Sequence, residues 1–99
     1  MSRYVVERDF PHGLHVPLDA AGAQQVATVV DTNREHAVTW IHSYVNADCT
    51  KTFCVYDGPS PEAIRRVAER NHLPVTAITE VRVLDPYFYL GLNGGRHDS

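Results

Sequence analysis

The chain is short of positive charge, of cysteine and of long apolar runs, and each shortage closes off a class of function. Nine Lys plus Arg stand against twelve Asp plus Glu, a formal charge of −3. No basic run or aromatic-interleaved basic patch occurs, so a nucleic-acid partner is not expected. Met1, Ser2 and Arg3 lead into a strand pattern rather than a long apolar stretch, so neither a secretory signal nor a membrane span is expected and the expected location is cytoplasmic. The two cysteines, Cys49 and Cys54, sit in or beside one extended region, too far apart to bridge without a sharp turn, and read as reduced thiols. No GxGxxG, GxSxG or GxxxxGK[ST] motif is present, which leaves nucleotide cofactors and serine hydrolysis without support.

What is present fits one small domain, residues 1–90, with a polar, glycine-rich tail over 91–99 that cannot order itself. A chain of 99 residues buries only about 60 to 65% of the surface its unfolded form exposes. Its core is thin, so a partner subunit is expected. Tyr4 to Phe10 reads as a strand ended by Pro11, His12 and Gly13. Asp19 then caps a helix whose Ala23, Val26, Ala27 and Val30 recur at helical spacing. Thr39 to Val45 and Lys51 to Asp57 flank Asn46-Ala47-Asp48 as an antiparallel hairpin. Ser60 and Pro61 start a second helix with the stripe Ala63, Ile64, Val67 and Ala68, closed by Asn71 and Pro74. Ala77 to Leu84 is a fourth strand broken by Pro86, and Tyr87 to Leu90 reads as a short extra strand.

The order strand, helix, strand, strand, helix, strand is that of the ferredoxin-like split βαβ sandwich, an α+β fold in which both helices cover one sheet face. Strand four then neighbours strand one, followed by strand three and strand two. The other face is too large to leave bare in so small a protein, so two sheets are expected to meet face to face as a homodimeric α+β barrel.

The strings VERDFP, GLHVP, TWIHSYV, KTFCVYDGPSPEAIR and LPVTAITEVRVLDPYFY together resemble a family of small bacterial ferredoxin-like proteins, many of them domains of unknown function, whose best-known type is a nickel-responsive, nickel-binding dimer. The resemblance spans roughly Arg3 to Tyr89 and is carried most specifically by YDGPSPEAIR and VRVLDPYFY. It implies a dimer with a fifth strand, nickel sites at the surface or interface, and a role in sequestering the metal. It transfers no ligand list to positions in this chain.

The period of two in the strands suggests where chemistry sits. It places Trp40, His42 and Tyr44 on one side of their strand, and Thr52, Cys54 and Tyr56 on one side of the next. If the helices cover Ile41, Val45, Phe53, Val55, Val81 and Val83, the open face carries Glu7, His42, Cys54, Tyr56, Glu80 and Arg82. Neighbours on adjacent strands lie about 5 to 8 Å apart, which is ligand spacing. The first functional reading is therefore a transition-metal binder, with Glu7, His42, Cys54 and Glu80 as metal ligands and Ni²⁺ as the ion; copper and zinc should bind too. His12 and His15 in the loop after the first strand form a second candidate pair, although a solvated loop explains them as well. The alternative is a small dimeric α+β-barrel enzyme acting on an organic substrate in the sheet-face pocket, with His42 or Glu7 as general base and Tyr56 positioning the substrate. A third reading makes the same groups satisfied polar residues at a wet interface. His36 and His72 follow helix ends, where the dipole favours a cation, and His97 falls in the tail.

Overall fold

The computed structural model describes residues 1–92. Its elements run β1 (Ser2–Asp9), α1 (Ala20–Arg34), β2 (Thr39–Val45), β3 (Lys51–Gly58), α2 (Pro61–Arg70), β4 (Ala77–Val81) and α3 (Pro86–Leu92). The four strands form one antiparallel sheet in the order β2-β3-β1-β4. This α+β arrangement is consistent with a ferredoxin-like fold, in which strands β1 and β2 are separated by β3.

Local chemistry explains the helix boundaries. Asp19, in an extended conformation, accepts a hydrogen bond from the Gly22 amide at 3.0 Å and so opens α1. Ser60 does the same for the Ala63 amide at 3.2 Å, with Pro61 at the first helical position of α2. The stripe Ala63, Ile64, Val67 and Ala68 is fully buried, while Glu62, Arg65, Arg66 and Glu69 face solvent. The β2–β3 turn is organised by Asn46, whose side-chain oxygen accepts from the Thr50 and Lys51 amides, each at 2.9 Å.

The core lies between the sheet and α2: Tyr4 and Val6 of β1, Cys54 and Tyr56 of β3, Val38, and Ala63, Ile64 and Val67 of α2. The assignment of sheet faces therefore differs from the sequence expectation. Thr52, Cys54 and Tyr56 point under the helices, and Phe53 and Val55 point to the open face, each half-buried. Both sides of β3 are apolar enough to be covered, and alternation alone does not say which one is.

The segment after Pro86 differs as well. It forms the helix α3 rather than an extra strand, because Asp85 accepts from the Tyr87 amide at 2.9 Å and Pro86 takes the first helical position. Ser60-Pro61 carries the same signal at α2. Tyr87, Phe88, Tyr89 and Leu90 are all exposed. Gly91 and Leu92 close this helix; residues 93–99, including His97, lie outside the described residues.

Candidate functional site

The open face is defined by the strand registers. Val5 pairs with Val55 and Glu7 with Phe53 between β1 and β3, while His42 pairs with Val55 and Tyr44 with Phe53 between β2 and β3. The register shifts between Trp40 and His42, which makes Ile41 the extra residue of a bulge. That bulge separates residues that simple alternation groups together. Trp40 joins Tyr56 on the helix-covered side, whereas His42 and Tyr44 stay on the open side. Their rings meet edge to face, 5.1 Å between centroids.

Around the apolar stripe of Val5, Phe53 and Val55 sit two charged groups. At one end Arg3 and Asp57 form a two-point pair, Nε to Oδ1 at 2.9 Å and a terminal nitrogen to Oδ2 at 3.2 Å. The Arg3 hydrogen bond holds the Asp57 carboxyl below the usual carboxylate range. At the other end the Lys51 ammonium lies 3.8 Å from Glu7 and 3.5 Å from Asp9. Asp9 also accepts from the Thr76 hydroxyl at 2.7 Å, the main reason its carboxyl is pulled below its ordinary value.

The structure brings only part of the expected constellation together. Glu7 and His42 share the open face but sit on β1 and β2 with β3 between them, a lateral gap of about 10 Å at ordinary strand spacing. Cys54 is 6% exposed beneath the helices and donates its thiol to the Thr52 hydroxyl at 3.4 Å. Glu80 pairs opposite Tyr4, on the helix side of the exposed edge strand β4. His12 and His15 are both exposed in the loop after β1, on either side of Gly13. Among the described residues, no group of three or more His, Cys, Asp and Glu side chains could hold an ion within one copy. Tyr56 lies on the opposite side of the sheet from His42 and Glu7, so these three do not line one pocket.

Beneath the helices the structure shows a group that no motif marks. Arg8 is only 2% exposed. One terminal nitrogen donates to the Pro74 carbonyl at 2.7 Å and the other to the Tyr56 hydroxyl at 3.1 Å, while Nε is buried without a hydrogen-bond partner. Burial pushes the Tyr56 phenol above its ordinary value, opposed by the Arg8 charge. The signal for Arg8 is its phase: Tyr4, Val6 and Arg8 alternate with Val5, Glu7 and Asp9, so a core position for Val6 places Arg8 inside too.

The family described as nickel-responsive SCO4226-like proteins matches residues 4–81. The crystal structure of SCO4226 from Streptomyces coelicolor A3(2) superimposes with a TM-score of 0.66 at 20% identity, covering 85% of this chain and all of that one. This likeness shows the fold. No curated protein matches the sequence.

Proposed function

This chain belongs to the SCO4226-like family of nickel-responsive proteins, and on that premise we propose that it binds Ni²⁺ as a homodimer and serves nickel sequestration or homeostasis in the cytoplasm. The observation that carries the reading is the position of His42. It is exposed on an uncovered sheet face, beside the half-buried residues Phe53 and Val55. A second copy laid on that face would cover the apolar stripe and bring another set of imidazole and carboxylate donors to it. That matters because one copy does not assemble three donors among its described residues, and a divalent first-row ion takes at least four ligands. The exposed aromatics of α3 give the second copy further surface to hold. His12 and His15 supply imidazoles at the loop end of the molecule.

Calorimetric titration of tag-free protein with Ni²⁺, combined with mass measurement in solution, tests this reading. Wild type should be dimeric and bind nickel at neutral pH, and binding should weaken on acidification, because imidazole ligates only in its neutral form. His42→Ala should weaken binding more than about tenfold, or 1.4 kcal/mol, without unfolding the protomer, since within one copy the side chain is exposed. His12→Ala and His15→Ala report whether the loop contributes. A monomer with no nickel affinity at neutral pH would remove the proposal.

A further inference from the structure

On the helix-covered side of the sheet lies a cavity of about 540 Å³, within the range of small-molecule sites (about 300–1,000 Å³). Its floor is formed by β1, β2 and β3, and α1 and the loop after β1 wall it. The helix above it is under-packed. Of the fifteen residues of α1 only Gly22 and Asn33 are fully buried, and Val26 and Val29 face the cavity half-exposed. The shorter α2 buries four apolar residues against the same sheet. The cleft opens to solvent past Val16 and Val45, both exposed, so its apolar lining is wetted surface that gains by being covered.

One end of this apolar space is charged. Arg8 lines it, nearly fully buried, with Nε unpartnered. Among the described residues no carboxylate lies within ion-pair distance of its guanidinium; the acceptors it does reach, the Pro74 carbonyl and the Tyr56 hydroxyl, are both neutral. Arginine cannot escape burial by losing its proton, and an uncompensated buried charge is among the costliest features a fold can keep. Tyr56 accepts from Arg8 and keeps its own O–H to donate, so the pair offers several N–H and O–H donors to one anion.

We propose that this cavity binds an amphipathic monocarboxylate, its carboxylate held by Arg8 and Tyr56 and its apolar body filling the space beneath α1 against Val26 and Val29. The anion supplies the counter-charge that Arg8 lacks, and the aliphatic or aromatic body supplies the packing that α1 lacks. An inorganic anion would satisfy only the first requirement and a neutral apolar molecule only the second. The site lies on the opposite side of the sheet from His42 and does not depend on nickel.

Trp40, the single tryptophan of the chain, lines the cavity and reports on it. Octanoate, added to wild-type protein in chelator-treated buffer, should change Trp40 emission saturably and raise the melting temperature. Octan-1-ol and sodium sulfate should each bind at least tenfold more weakly. Arg8→Met should reduce octanoate affinity at least tenfold while leaving octan-1-ol affinity unchanged. Val26→Phe, which fills the apolar end and retains Arg8, should abolish octanoate binding, and it decides the matter if Arg8→Met does not fold. 3-Phenylpropanoate tests an aromatic body in the same assay. The proposal is overturned if neither carboxylate gives a saturable response, if octan-1-ol or sulfate matches octanoate, or if Val26→Phe binds octanoate as wild type does.

Discussion

Tyr56→Phe separates the two possible faces of β3 by a single oxygen atom. In the structure Tyr56 is 3% exposed and its hydroxyl accepts from Arg8 at 3.1 Å. Removing the hydroxyl leaves the ring packing intact but takes from a buried guanidinium one of its two partners. Hydrogen bonds to charged groups contribute about 1.5–3 kcal/mol, and in a domain of this size each kcal/mol moves the melting temperature by about 4–8 °C. The variant should therefore melt roughly 6–24 °C below wild type. Tyr44→Phe is the control, because Tyr44 stands 63% exposed on the open face and its loss of a hydroxyl should stay within about 0.5 kcal/mol. Both are read by thermal denaturation followed by circular dichroism. Adding Arg8→Met to Tyr56→Phe should recover much of the loss, since replacing both partners leaves no orphaned donor. If Tyr56→Phe and Tyr44→Phe melt alike, the Tyr56 hydroxyl is in water and the assignment of faces is refuted.

Two further substitutions probe the loop after β1 and the charged rim of the open face. A Cβ on Gly22 would lie 1.7 Å from the Pro17 carbonyl oxygen, so Gly22→Ala should displace the start of α1 and cost about 1–3 kcal/mol in urea denaturation, whereas Gly91→Ala, with nothing within 4 Å, should not destabilise. Asp57 has its folded-state pKa depressed by Arg3, so its contribution is present above the unfolded-state value of about 3.9 and is lost as pH falls through the lower folded value. Wild type should melt above Asp57→Asn at neutral pH, with the gap closing below about pH 4 and narrowing in high salt; a gap that persists unchanged at pH 2 would contradict the pairing.

The element order, both long helices with their caps, the buried stripe of α2 and the hairpin are all written locally. A capping side chain, a proline at the first helical turn and a 3.6-residue apolar period act over a few residues and need no tertiary context. The segment after Asp85 is also local, since Asp85-Pro86 carries the same capping signal as Ser60-Pro61, but four apolar residues are too few for periodicity to separate helix from strand. Which face of the sheet meets the helices is a different kind of property. Phe53 and Val55 on one side of β3 and Cys54 and Tyr56 on the other are both apolar enough to be buried, and it is Cys54 and Tyr56 that pack with Ala63, Ile64 and Val67 of α2. A bulge at Ile41 then shifts the phase of β2 by one residue, sending Trp40 inward and His42 outward, although alternation places them together. For that reason Glu7 and His42 share the open face while Cys54 and Tyr56 do not. Sequence supplies the donors, but only packing across three strands and a helix decides which of them look at the same space, and it is the same packing that encloses Arg8 with no carboxylate beside it among the described residues.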